Sequence, residues 1–147
     1  MGESGKASLI FTIAAIAEHQ MSGYRCLKHV PADEGKFELA LLEFVQRDEG
    51  VDCDEMLRRG REKGAQTGLK HYEAVLREQD KIPVEMRDFC LVFTEVWEET
   101  GIFGLPIIFA IRWNAQNQKW IPGILGDGRC YDSRYRIVDA HQVQLAT

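Results

Sequence analysis

The alternation of side chains along residues 105–113 predicts a buried central strand. One face of this stretch carries five large apolar residues, Leu105, Ile107, Phe109, Ile111 and Trp113. The opposite face, with Pro106, Ile108 and Ala110, is also apolar over most of its length. A strand that is apolar on both faces is usually covered on both. The stretch should therefore lie at the centre of a sheet, with the rest of the chain pairing with it or packing over it.

The first half of the chain shows apolar residues at helical spacing. In the segment 7–20, Leu9, Ile13 and Ile16 fall on one side of a helix, and Gly23 suits its end. A first helix is therefore predicted there. The isoleucine and threonine residues of the segment also suit a strand, which remains the alternative.

A second helix is predicted near residues 33–50. Phe37, Leu41 and Phe44 keep helical spacing, and the acidic residues at the start of the segment suit a helix N-terminus. The rival interpretation is a β-hairpin, because Phe37, Leu39 and Leu41 also alternate with the residues between them. The helix is preferred for its length and for its lack of interior glycine or proline.

A long third helix is predicted over 54–79, with Asp52 as its N-terminal cap. Gly60, Gly64 and Gly68 lie four residues apart on its apolar side. Such a smooth stripe would let another backbone approach closely, so these glycines are the predicted interface residues. Because interior glycine also weakens a helix, two helices broken between Gly64 and Gly68 are an equal alternative.

Three further apolar stretches, at 89–97, 120–125 and 131–138, predict the other strands. Helices in the first half followed by strands in the second half are typical of an α+β protein. The predicted fold is therefore about three helices packed on a four-stranded antiparallel meander sheet. No repeat, linker or low-complexity tract divides the sequence, so 1–147 is expected to form a single domain.

Composition narrows the classes of partner. The formal net charge is −5, which argues against a nucleic-acid partner because nucleic-acid-binding domains are usually basic. The apolar run at 7–17 is too short to span a bilayer and is interpreted as part of the fold. The four cysteines form no CxxC pair, so free thiols in a reducing cytoplasm are expected. We expect a cytoplasmic protein without a membrane partner, a cofactor or a bound metal.

Glu95 is the sharpest anomaly in the sequence. By alternation it shares a strand face with Phe93 and Trp97, so its carboxylate should either have a raised pKa or hold a cation. The functional interpretation is an aromatic pocket for an organic cation or amine, with Glu95 as the anchor and Trp97, Trp113 and Trp120 as the walls. The structural interpretation is an arginine partner, or a face that becomes exposed towards the end of the strand.

Common catalytic motifs such as HExxH, GxSxG and GxxxxGKS are absent from the sequence, and the histidines show no metal-ligand spacing. The leading hypothesis is a non-enzymatic binding or interaction module that self-associates as a homodimer, through the glycine stripe or a sheet edge. The second is a small-molecule-binding protein that takes an organic cation at Glu95. An enzyme of unknown class is the third, because active-site residues can be scattered along a chain.

Overall fold

The apolar stretch at 105–113 forms the central strand of a mixed β-sheet. The structure is a computed structural model, which describes residues 9–13, 21–100 and 105–143. Two α-helices in this part of the chain are α1 (Cys53–Glu62) and α2 (Leu69–Arg77), and short 3₁₀ helices follow at Gln79–Lys81 and Val84–Asp88. The strands are β1 (Ile10–Ile13), β2 (Tyr24–Lys28), β3 (Gly35–Leu42), β4 (Cys90–Val92), β5 (Val96–Glu99), β6 (Pro106–Asn114), β7 (Lys119–Gly126) and β8 (Tyr135–Gln142).

The prediction of three helices on a four-stranded antiparallel meander is wrong. The described residues form two α-helices and eight strands, and the sheet is mixed because β4 pairs in parallel with β8. The strand order is β1-β3-β8-β4-β6-β5-β2, with β7 on the other edge of β6. The meander fails because β8 does not stay beside β7 but crosses over to lie between β3 and β4. The coarser prediction, an α+β protein built on a sheet, is confirmed.

The predicted second helix is wrong, because residues 35–42 form the single strand β3. The alternation noted for the rival β-hairpin is present, but β3 pairs with β1 and β8 and forms no hairpin within the segment. Phe37 and Leu39 are buried, whereas Glu38 between them is exposed. Phe37 lies opposite Phe11 of β1 and stacks on its ring, with the ring centroids 5.9 Å apart. Strand β1 itself occupies part of the predicted first helix, while residues 14–20 lie outside the described part of the chain. The apolar pattern fitted both a helix and a strand, and pairing with residues distant in sequence selected the strand.

The predicted long helix is two helices, and the break falls between Gly64 and Gly68. Asp52 caps α1 as predicted, because the Glu55 N–H donates to its Oδ1 over 2.8 Å. Gly64 lies just after α1 with φ +78°, a conformation that favours glycine and ends the helix. In the part of the chain that the structure describes, no helix is long and apolar enough to cross a lipid bilayer.

The two helices cover opposite faces of the sheet. Phe109 and Ile111 of β6 belong to one apolar core, together with Tyr72 and Val75 of α2. The alternate residues Ile108 and Ala110 belong to a second core, which is completed by Met56 and Leu57 of α1. The expectation that 105–113 is covered on both faces is therefore confirmed for the inner part of the strand. Fully burying one such large side chain contributes about 1.5–3 kcal/mol.

The predicted strand 89–97 is interrupted in its middle, and the sheet divides there. Both β4 and β5 pair with the same edge of β6, through Leu91 opposite Ile111 and Trp97 opposite Ile107. The outer neighbour of β4 is β8, whereas that of β5 is β2. Between β4 and β5, the backbone turns to the segment that connects α1 to α2. The Thr94 and Glu95 N–H groups both donate to the Thr67 carbonyl, over 3.1 and 3.0 Å.

Candidate functional site

Glu95 lies at this division of the sheet and is only 2% exposed. Its Oε1 accepts hydrogen bonds from the Leu69 N–H at 2.8 Å and from the Trp97 indole N–H at 3.1 Å. Its Oε2 accepts from the Val30 N–H at 2.6 Å and lies 3.2 Å from the His29 Nδ1. In the part of the chain that the structure describes, backbone amides, an indole and an imidazole contact the carboxylate, and no arginine does so.

The carboxylate of Glu95 caps α2, whose N-cap residue has no side chain. Leu69 is the first residue of α2, where backbone N–H groups lack partners and the helix dipole attracts negative charge. The residue before it, Gly68, has no side chain to supply an acceptor. A Cβ at Gly68 would lie 2.8 Å from the Val30 carbonyl oxygen and 3.1 Å from the Glu95 Oε2. Glycine therefore stands at this position because the carboxylate and a neighbouring backbone occupy the space.

His71 completes the same cap. Its Nδ1 accepts a hydrogen bond from the Gly68 N–H over 2.9 Å, and its ring meets the Phe37 ring edge-on. Burial lowers the pKa of His71 to about 4, although the negative charge of Glu95 acts in the opposite direction. The imidazole is therefore neutral at pH 7 and serves as an acceptor at the start of α2.

We expect the stability of the protein to fall as the pH drops from about 6.5 to about 4. The unfolded chain protonates His71 near its ordinary pKa of 6.5, whereas the folded chain protonates it only near a pKa of about 4. The contribution is thus fully present above pH 6.5 and lost below, and it is on the order of 3 kcal/mol. Urea unfolding at pH 7 and pH 4.5 measures it. In a His71→Asn variant, whose side-chain oxygen still accepts from Gly68, this part of the pH dependence should vanish; equal pH dependence would contradict the assignment.

A bulge in the edge strand β2 brings two further polar side chains to Glu95. Cys26 pairs with Trp97 and Lys28 pairs with Val96, so Leu27 is an extra residue in the ladder. Residues three apart in a regular strand point to opposite faces, whereas the bulge restores Cys26 and His29 to the same side. The Cys26 sulfur, a His29 ring nitrogen and a Glu95 carboxylate oxygen all lie within 4.8 Å of one another. The three residues form what we call the Cys-His-Glu cluster.

The thiol of Cys26 is not prepared for nucleophilic catalysis. Burial raises its pKa to about 11, and both the negative charge of Glu95 and a hydrogen bond to that carboxylate act in the same direction. A catalytic cysteine needs a lowered pKa, because the thiolate is the reactive form. The cluster is chemically better suited to holding a cation, which would face a carboxylate, an imidazole and a sulfur.

The predicted site residues divide into two places. Trp97 contacts Glu95 and packs against Phe109, with the ring centroids 5.7 Å apart. Trp113 and Trp120 face each other across the β6–β7 hairpin, near its turn, with centroids 6.0 Å apart. The guanidinium of Arg87 lies 3.7 Å from the centre of the Trp113 ring, so a cation of the chain itself occupies that aromatic surface. An aromatic pocket anchored by Glu95 stays a prediction. Of the three tryptophans predicted to form its walls, Trp97 contacts Glu95, whereas Trp113 and Trp120 lie elsewhere.

The three glycines of the predicted interface do not form one stripe, because α1 ends before Gly64. A Cβ at Gly60 would lie 3.1 Å from the Ile137 Cδ1, so this glycine fits α1 closely to its own sheet. Gly64 has open space around it, and Gly68 adjoins Glu95. Self-association through these residues stays a prediction, and the three glycines do not share one continuous helix surface.

An apolar cleft opens between β2 and α1, beside the Cys-His-Glu cluster. Its larger lobe has a volume of about 320 Å³ and an apolar lining of Leu27, Leu57, Val96, Pro106, Ile107 and Ile108. A smaller lobe of about 210 Å³ adjoins it and is lined by His29, Val30, Gln66 and Thr94. Both lobes share Lys28, Leu57, Arg61 and Val96. Sequence analysis did not foresee the cleft, because its walls come from segments far apart in the chain.

Two basic side chains stand where the lobes meet. Neither Lys28 nor Arg61 makes an ion pair or a side-chain hydrogen bond with another residue that the structure describes. Asp54 and Asp127 line the larger lobe only. The junction of the lobes therefore presents two basic side chains next to apolar surface, and the two carboxylates belong to the larger lobe.

Sequence analysis also missed Cys26 and His29 as neighbours of Glu95. In the sequence, these two residues form a Cys-x-x-His spacing at 26–29, which matches neither a CxxC nor an HExxH motif. The spacing alone would have been weak, because only the bulge places both side chains on one side of β2.

Fold and site together define the class of this protein: an α+β protein with a mixed sheet, a carboxylate-capped helix at the division of that sheet, and a cleft beside it. No protein-family model, no curated protein and no solved structure matches the chain.

Proposed function

We propose that this chain is a small-molecule-binding protein whose ligand occupies the cleft between β2 and α1. The observation that carries the proposal is the combination of an apolar cleft with two basic side chains at the junction of its lobes. Ligand sites are typically concave and mostly apolar, with a few polar groups that orient the ligand, and they begin at roughly 300 Å³. The larger lobe alone, at about 320 Å³, is of this size.

The charges of the cleft favour a ligand with an apolar body and one anionic group. Arg61 offers a planar set of donors that matches a carboxylate, sulfonate or phosphate, and Lys28 adds a second positive charge. Both side chains line both lobes. The organic cation predicted from the sequence is less favoured as an occupant of this cleft, because the basic side chains at the junction of its lobes would repel it. The homodimer hypothesis remains a prediction without a structural observation that favours it.

Two fluorescent probes that differ in one charge test this proposal. Anilinonaphthalene sulfonate has the required apolar body and anion, whereas N-phenylnaphthylamine has nearly the same body and no charge. We expect the anionic probe to bind about tenfold more tightly, which corresponds to about 1.4 kcal/mol. Fluorescence titration of the folded protein at pH 7 measures both dissociation constants.

A pair of variants with equal charge change identifies the source of the preference. In the double variant Lys28→Gln and Arg61→Gln, the anionic probe should bind about as weakly as the neutral probe. The control, Arg47→Gln with Lys63→Gln, removes the same charge from two exposed residues outside the cleft and should keep the preference. The proposal fails if the anionic probe has no preference, or if both double variants lower it equally.

A further inference from the structure

The Cys-His-Glu cluster brings three side chains of the kinds that bind metal ions close together. Its three ligand atoms lie within 4.8 Å of one another, and the His29 Nδ1 lies 3.2 Å from the Glu95 Oε2. Two ligands bound to one tetrahedral Zn²⁺ ion, at bond lengths of about 2.0–2.3 Å, are separated by roughly 3.3–3.6 Å. The nitrogen and oxygen are therefore already at nearly the separation of two zinc ligands, and the sulfur lies within 4.8 Å of both.

We infer that Cys26, His29 and Glu95 bind a Zn²⁺ ion. Thiolate and imidazole select Zn²⁺ over Mg²⁺ and Ca²⁺, which prefer sites made of oxygen atoms alone. On binding, the Cys26 thiol gives its proton to solvent, and His29 coordinates through a ring nitrogen that carries no proton. The thiolate and the carboxylate together neutralise the double charge of the ion.

The surroundings of Glu95 hold that carboxylate as a metal site requires. Its Oε1 is fixed by the Leu69 N–H and the Trp97 indole, and its Oε2 by the Val30 N–H. Hydrogen bonds of this kind orient ligands and are a regular part of metal sites. The His29 Nδ1 lies 3.2 Å from the Glu95 Oε2, and a metal ion bound by both atoms would take the place of this direct contact. The three N–H donors would continue to orient the carboxylate.

The residues that the structure describes supply three ligands here, which leaves the fourth coordination position to another group. The side chain of His29 is 53% exposed, and the same residue lines the smaller lobe of the cleft. A zinc site with three protein ligands and an open position can hold water or a ligand, unlike the closed four-ligand sites that serve structure alone. This inference does not depend on which molecule the cleft binds.

Titration of the reduced, chelator-treated protein with Co²⁺ tests the metal site by absorption spectroscopy. We expect one equivalent of Co²⁺ to produce a thiolate-to-metal charge-transfer band in the near ultraviolet and the strong visible bands of tetrahedral cobalt. Zn²⁺ added afterwards should abolish both. The spectrum reports sulfur ligation directly, so it stays informative whether or not the fluorescent probes bind the cleft.

Three variants assign the ligands. Cys26→Ser, which can still donate a hydrogen bond to Glu95, should lose the charge-transfer band and weaken Co²⁺ binding at least about a hundredfold. His29→Ala should weaken binding to a similar degree. Because the His29 side chain is about half exposed, this substitution should leave the protein folded. Cys130→Ser is the control, because Cys130 is an exposed free cysteine, and it should bind like the parent protein. A parent spectrum without the charge-transfer band, or a band that is lost with Cys130 but not with Cys26, would overturn the inference.

Discussion

Replacing Glu95 with alanine is expected to lower the free energy of unfolding by about 3–5 kcal/mol. The substitution removes the acceptor of three N–H donors, from Val30, Leu69 and the Trp97 indole. A buried donor left without a partner costs about 1–3 kcal/mol. Because domain stabilities are about 5–15 kcal/mol, the variant should be severely weakened. Urea unfolding at pH 7, followed by tryptophan fluorescence, measures the change.

A glutamate shortly after Glu95 in the chain, at the far end of β5, provides the matched control. Glu99 lies at the end of β5 and is exposed, so Glu99→Ala should change the free energy of unfolding by less than about 0.5 kcal/mol. Glu95→Gln separates shape from charge, because its amide keeps one acceptor oxygen and turns a donor towards the other N–H groups. It should fall between the parent and Glu95→Ala. A loss below about 1 kcal/mol for Glu95→Ala would show that the carboxylate does not hold these segments together.

Replacing Gly68 with alanine is expected to lower the free energy of unfolding by about 2–3 kcal/mol. The new Cβ would lie 2.8 Å from the Val30 carbonyl oxygen, 3.1 Å from the Glu95 Oε2 and 3.2 Å from its Cδ. The carbonyl belongs to the backbone and cannot rotate away, so either α2 or the segment at Val30 must shift. Such a shift would also lengthen the hydrogen bonds of Glu95. Thermal and urea unfolding of the variant measure the effect.

Two other glycines separate crowding from backbone strain. At Gly123 the nearest atom to an added Cβ is 3.8 Å away, so Gly123→Ala should be nearly neutral. At Gly64 an added Cβ meets nothing within 4 Å, but its φ of +78° disfavours alanine by about 1–2 kcal/mol. If Gly68→Ala is no worse than Gly123→Ala, the close packing around Glu95 is not a constraint on the fold.

Patterns with a single interpretation were predicted correctly from the sequence. The run at 105–113 is apolar on both faces, and it does form the central strand between two cores. Glu95 was singled out because its neighbours on one predicted strand face are apolar, and it is buried, but the strand is interrupted there and its described partners do not include an arginine. The local residues therefore carried the information for 105–113, whereas the environment of Glu95 depends on Val30 and Leu69 from elsewhere in the chain.

Patterns that suit two structures were decided by partners elsewhere in the chain. Phe37 and its neighbours fit a helix and a strand, and the ring of Phe11 and the strands on both sides made the choice. The interruption of 89–97 depends on the Thr67 carbonyl, and the parallel pairing of β4 with β8 joins segments more than forty positions apart. The Cys-His-Glu cluster depends on a bulge at Leu27, and no periodicity in the sequence marks that bulge.

A strand at the border of a sheet ordinarily frays first, since only one of its sides is paired. Here the Glu95 carboxylate accepts hydrogen bonds both from Val30, just beyond β2, and from Leu69, the first residue of α2. Detaching β2 from the sheet would therefore remove the cap of α2. Local unfolding of this edge strand should consequently cost more free energy than the fraying of an ordinary edge strand. Because β2 forms one wall of the cleft, the same carboxylate also preorganises that wall.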